Sequence, residues 1–121
     1  MAIALFDSNI LIDYLNGIKQ AEEELSKYRY KSISIITWME VVAGASLKET
    51  EAIKEWLAEF TVETIDSKIA EAAADIRRTK RIRLPDTIIW ATAQVGSMLL
   101  ISRNTKDFPE NEADICVPYQ L

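Results

Sequence analysis

Histidine is absent from the 121 residues, cysteine occurs once and glycine only three times. Without histidine the chain can build no Ser-His-Asp triad, no Cys-His dyad and no His-bearing zinc site. A single cysteine, Cys116, excludes an internal disulfide and suits a reducing compartment. Gly17, Gly44 and Gly96 are scattered, so neither a GxGxxG turn nor a P-loop can cradle a phosphate. No basic segment precedes the first apolar residues, and Asp7 interrupts them too early for a signal peptide. The longest apolar stretch, Ile88 to Ile101, is broken by Thr92, Gln94, Gly96 and Ser97. It falls short of the roughly 20 residues that a bilayer span needs. These absences predict a soluble cytoplasmic protein with no membrane partner, whose chemistry rests on carboxylates.

What is present is ordinary globular material, 49% hydrophobic and 27% charged, in a length that suits one domain spanning residues 1–121. Residues 2–6 (AIALF) read as a buried strand, followed by Asp7-Ser8-Asn9 and a helix closed by Gly17. A second helix is expected from Ile18 to Tyr28, and a strand at Ser32–Ile36. Thr37 then opens a helix to Ala45, and Lys48–Phe60 is amphipathic, with Ile53, Trp56, Leu57 and Phe60 on one face. A strand at Thr61–Ile65 leads to the helix Lys68–Lys80, capped by Asp66 or Ser67. Residues 86–95 form an almost wholly apolar helix entered at Pro85. Met98–Ser102 and a short segment near Ile115–Val117 complete the strands. The alternation predicts an α/β/α sandwich with a mostly parallel sheet of four to five strands. In such sheets the ligand crevice lies beyond the carboxyl ends of the strands, where the strand order reverses.

Four acids stand at element boundaries. Asp7 follows the first strand, where it can cap a helix or project into the crevice, with Ser8 and Asn9 equally able to cap. Glu40 lies three residues after Thr37, the spacing of a capping box. Asp86 begins an apolar helix, where the dipole favours a carboxylate. Asp107 sits in the loop after MLLIS, in a position suited to an Asx turn, with Asn104 in the same loop. If these acids converge they need protons or a cation, because two carboxylates 4 Å apart repel by roughly 4 kcal/mol at an effective dielectric near 20. All-oxygen ligation points to Mg²⁺ or Mn²⁺. Asp13, Asp66 and the run Glu22-Glu23-Glu24 read as solvated or capping residues.

At these residues the chain resembles the PIN-domain nucleases, and within them the VapC-type toxins of toxin–antitoxin pairs. ALFDSNILIDYL resembles the family's first motif, ISIITWMEVVAG the second, LPDTIIWATA the third and LLISRNTKDF the fourth, and VPYQL is similar to a frequent ending. Ser8 stands where threonine is commoner, and Trp90 where a small residue is frequent. The resemblance implies a PIN-like fold and a metal-dependent endoribonuclease. In it Asp7, Glu40, Asp86 and Asp107 bind one or two Mg²⁺ or Mn²⁺ ions, while Ser8 and Asn104 orient water or a carboxylate behind them. It further implies a homodimer and a cognate antitoxin, which lays a C-terminal segment over the toxin and sometimes places an arginine in the acidic pocket. Trp38 and Trp56 could serve either interface or, more commonly for tryptophan, the core.

Residues 77–83 (RRTKRIR) hold the cations Arg77, Arg78, Lys80, Arg81 and Arg83. They fit either a solvated helix end or a phosphate-binding rim leading to Asp86. The net charge of −5 disfavours nonspecific nucleic-acid binding, but this run offers a local site for RNA. Two other readings compete. One is a phosphoacceptor signalling domain using Asp66, and the other a PIN scaffold retained for binding alone.

Overall fold

Five short strands run parallel in the order β3-β2-β1-β4-β5 in the computed structural model, which describes residues 3–121. They are β1 (Ala4–Phe6), β2 (Lys31–Ser34), β3 (Thr61–Glu63), β4 (Leu99–Ile101) and β5 (Ile115–Cys116). Six helices connect them: α1 (Ser8–Leu15), α2 (Lys19–Ser26), α3 (Ile35–Gly44), α4 (Thr50–Leu57), α5 (Ser67–Lys80) and α6 (Leu84–Gly96). Leu5 pairs with Ser32 on one side and Leu100 on the other, so β1 is the centre of the sheet. The strand order reverses between β1 and β4, which makes the carboxyl ends of these two strands the expected ligand crevice.

Alternation along the strands divides the core into two. Leu5, Leu100 and Ile115 face α5 and α6 and pack with Ile69, Ile76, Ile89 and Trp90. Ala4, Phe6, Ile33 and Ile101 face the opposite way, against Ile10, Leu11, Leu25, Leu57 and Phe60. This is the predicted three-layer sandwich, with β1 buried on both faces as parallel sheets require. Trp56 stacks on Tyr14 at 4.9 Å and meets Phe60 edge-on, and Trp38 packs on the same cluster, so both tryptophans serve the core.

Boundaries differ where caps decide them. The strand expected at 32–36 stops at Ser34, because Ser34 Oγ accepts from Ile36 N–H at 3.1 Å and starts α3 two residues before Thr37. Helix α4 is shorter than the expected 48–60, although Phe60 beyond its end is still buried. The start of the first strand, at Ala2, lies outside the described residues. Gly17 adopts φ +80°, the left-handed conformation that ends α1, and Asp66 Oδ1 caps α5 by accepting from Ile69 N–H at 2.8 Å.

One acid of the 22–24 run is not solvated. Glu24 is buried and accepts from Lys27 Nζ at 3.0 Å and Tyr28 OH at 3.1 Å. Two donors offset the desolvation of its charge, and burial together with Glu24 pushes the Tyr28 phenol up to about 12. Among the described residues no helix is long and apolar enough to cross a membrane.

Candidate metal centre

Asp7 leaves β1 at the carboxyl edge of the sheet, its N–H still donating to Ile101 O across the β1–β4 ladder at 2.9 Å. It is the N-cap of α1, with Oδ1 accepting from Ser8 N–H at 2.8 Å. Oδ2 accepts from Ser102 Oγ at 2.7 Å and Asn9 Nδ2 at 3.1 Å. Burial nonetheless raises its pKa above the ordinary value, and the nearby Glu40 charge adds to the rise. Capping and a place in the crevice are therefore not alternatives; one side chain does both.

Glu40 forms no capping box. The cap of α3 is Ser34, and Thr37 is fully buried inside the first turn. The Glu40 carboxylate is exposed on the helix face and accepts a hydrogen bond from Ser8 Oγ. Asp86 lies in the first turn of α6, which the apolar sequence buries from Ile89 to Ala93. Its side chain is only 7% exposed, and Arg83 reaches Asp86 Oδ2 through Nε at 3.3 Å and Nη2 at 3.1 Å. In the loop after β4, the turn is built by Asn104 rather than Asp107. Asn104 Oδ1 accepts from Asp107 N–H at 3.3 Å, and Asn104 Nδ2 donates to Asp107 Oδ2 at 3.2 Å.

Asp7, Ser8, Glu40, Arg83, Asp86 and Asn104 line one pocket of about 260 Å³. Asp107 is not among the lining residues, but its carboxyl is close enough to that of Asp86 for each to influence the other. Burial first, then the Asp107 carboxyl and the Asp7 charge, push Asp86 up to about 7 against the pull of Arg83. Interaction with Asp86 holds Asp107 below its ordinary value. The donor set is all carboxylate and amide oxygen, which fits a hard divalent cation. Among the described residues no three of these carboxylates are drawn together tightly enough to hold an ion, and Arg83 and Ser8 bond to oxygens of Asp86 and Glu40.

Of the five cations at 77–83, Arg83 lines this pocket. Arg77 donates to Ile82 O at 2.9 Å, Arg78 pairs with Asp75, and Lys80 lies over the Trp90 ring at 5.3 Å. Arg81 takes the left-handed conformation that ends α5. The other four cations of the run do not line this pocket. Asp66 caps α5 beside the edge strand β3 and does not line the acidic pocket.

The PIN domain family model matches residues 4–113. The chain belongs to the PIN-domain family. Ribonuclease VapC10 of Mycobacterium tuberculosis is 33% identical over 113 residues, covering 87% of this chain and 85% of that protein. A toxin–antitoxin complex from Klebsiella pneumoniae superposes with a TM-score of 0.93 at 40% identity, over 98% of this chain and 99% of that one. FitAcB from Neisseria gonorrhoeae superposes with a TM-score of 0.81 at 23% identity, over 98% and 100% of the two chains, and bears on the fold alone. Divalent-metal dependence is general among the VapC ribonucleases of the PIN-domain family.

Sequence reading missed a second ring of residues in this PIN domain. Asp13 is not solvated: it is buried, and Arg103 grips it with Nε to Oδ2 at 2.6 Å and Nη2 to Oδ1 at 3.0 Å. Tyr119 OH donates to the same Oδ2 at 2.8 Å. Asn9 Oδ1 accepts from Arg103 N–H at 3.1 Å, so the pair is tied through Asn9 to Asp7. The signal available was spacing, since Asn9 and Asp13 lie four apart on one face of α1.

The Asp86 shift has a sign that can be checked on protein kept in chelator. A carboxyl with a raised pKa takes up a proton on folding, so its contribution is fully present below about pH 3.8 and is lost as pH rises to about 7. The urea midpoint of the wild type relative to Asp86→Asn should therefore fall between pH 4 and 7 and level off above. A pH-independent difference contradicts the assigned shift.

Proposed function

We propose that this PIN-domain protein is an endoribonuclease that hydrolyses RNA phosphodiester bonds, acting as one domain over residues 1–121 and as the toxin of a toxin–antitoxin pair. The observation that carries the reading is the convergence of Asp7, Glu40 and Asp86, from three separate chain segments, on one pocket, with Asp107 near Asp86. These four carboxylates are the groups to hold one or two Mg²⁺ or Mn²⁺ ions. Such an ion, when bound, supplies an acidified water for in-line attack and charge stabilisation at the phosphate and departing oxygen.

The chain's own part is positional. Ser8 bonds to Glu40, and Ser102 and Asn9 to Asp7, so these two carboxylates are kept at the pocket and have only to draw together around an ion. Asn104 does the same for Asp107 by gripping both its N–H and its Oδ2. The apolar floor under Asp86 keeps bulk water from screening its charge.

A groove of about 670 Å³ between α1, α3 and α4, with Ile12, Leu15 and Ile53 among its lining, is the bed we assign to the antitoxin. Ile12 borders the acidic pocket as well, so a segment lying in the groove reaches the carboxylates. The Klebsiella pneumoniae relative was solved as a toxin–antitoxin complex, which supports a partner of this kind. The proposal includes a homodimer and a cytoplasmic location. Incubating the protein with total RNA in Mn²⁺ or in chelator, then mapping the ends, tests the activity. Discrete internal cuts that need Mn²⁺ are expected; intact RNA under both conditions would end the proposal.

A further inference from the structure

Two arginines in this molecule hold buried aspartates, and they hold them differently. Arg103 meets both oxygens of Asp13, at 2.6 and 3.0 Å, and its side chain is only 26% exposed. Arg83 brings two nitrogens to a single oxygen of Asp86, at 3.3 and 3.1 Å, and its side chain is 75% exposed. The first is a two-pronged, desolvated pair of the strong kind. The second is a lopsided contact, in which a buried carboxylate meets an arginine whose side chain lies mostly in solvent at the pocket mouth. Arg83 thus has the geometry of a group that can leave.

We propose that Arg83 is a moving counter-ion, which neutralises Asp86 until a divalent cation takes that carboxylate and then binds a backbone phosphate of the RNA at the pocket mouth. The inference rests on the ribonuclease reading and adds to it a residue that links metal binding to substrate binding. A cation held by the Asp86 carboxylate would compete with Arg83, which bonds to Oδ2 of that group, and would repel the guanidinium.

Where the released side chain can go is limited. Its backbone is fixed as the N-cap residue of α6, followed by Leu84 and Pro85. The guanidinium therefore sweeps the mouth of the pocket that Glu40 and Asn104 also line, where Glu40 and Asp107 already act on it electrostatically. A phosphate brought to that mouth matches its planar fork better than any ammonium could. Of the neighbouring cations in the same run none lines this pocket: Arg77 donates to the Ile82 carbonyl, Arg78 pairs with Asp75 in solvent and Lys80 lies over Trp90. Contact with phosphate is thus assigned to Arg83 and not to the run as a whole.

The consequence is a pair of effects of opposite sign from one substitution. In protein stripped with chelator and titrated with Mn²⁺ by calorimetry without RNA, Arg83→Gln should bind Mn²⁺ about three- to tenfold more tightly than wild type. The same variant at saturating Mn²⁺ should cleave total RNA about tenfold more slowly, with a shallower salt dependence. Arg83→Lys keeps the charge without the fork, so its Mn²⁺ affinity should stay near wild type while cleavage recovers only in part. Unchanged or weaker Mn²⁺ binding by Arg83→Gln, or undiminished cleavage, overturns the inference while leaving the ribonuclease reading intact. Wild-type protein that neither binds Mn²⁺ nor cuts RNA overturns both.

Discussion

Asp7→Asn and Glu40→Gln are each expected to lower Mn²⁺-dependent RNA cleavage by about a thousandfold while leaving the fold in place. That loss corresponds to roughly 4 kcal/mol of transition-state stabilisation, the scale on which a metal ion acts on a phosphoryl oxygen. The two substitutions keep size, remove the charge and turn one accepting oxygen into a donating amide nitrogen. Asparagine is as good an N-cap as aspartate, so the start of α1 should survive Asp7→Asn. Glutamine can still accept from Ser8 Oγ at Glu40, and no capping box is lost because Ser34 caps α3. Circular dichroism and melting temperature should therefore stay close to wild type while the rate collapses. Full metal-dependent activity in both variants would mean that the site lies elsewhere.

The second large effect is on stability. Arg103→Ala leaves the Asp13 carboxylate buried with Tyr119 OH as its remaining donor from the cluster. Breaking a buried, two-pronged pair by deleting one partner costs about 3–5 kcal/mol, because the charge that remains is uncompensated. A lower urea midpoint with an unchanged slope is the expected signature. Tyr119→Phe should cost less, about 1–2 kcal/mol, since it removes one hydrogen bond to a charged acceptor. The cluster joins α1, the loop after β4 and the segment beyond β5, so its loss also loosens Asn9 and, through it, Asp7. A midpoint within error of wild type for Arg103→Ala would show that the pair contributes nothing net.

Much of this was legible because it depends on local pattern. Apolar runs at 2–6 and 98–102, polar caps after them and an apolar helix behind Asp86 specify a parallel sheet with acids at its carboxyl edge. The four motif acids were likewise readable one by one, and the family match covers residues 4–113. What could not be read depends on which side chains meet, whether across distant segments or within one turn. Asp13 looks like any helix-surface acid until Arg103, 90 positions away, reaches it. Glu24 looks like part of a solvated run until Tyr28 and Lys27 close over it. The capping box at Thr37–Glu40 had the right spacing, but Ser34 lay earlier in the chain and started the helix first. The basic run read equally as a solvated helix end or a phosphate-binding rim, and of its five cations Arg83 is the one that lines the pocket.

The central claim is that Asp7, Glu40, Asp86 and Asp107 act together as one divalent-metal site. Calorimetric titration of Mn²⁺ into chelator-stripped wild type and Asp7→Asn addresses it without any assumption about the RNA target. Saturable binding by the wild type is expected, weakened at least tenfold in the variant, because removing one anionic ligand leaves too little charge to displace water from the ion. Equal Mn²⁺ binding by the two proteins, or none by the wild type, would contradict the account.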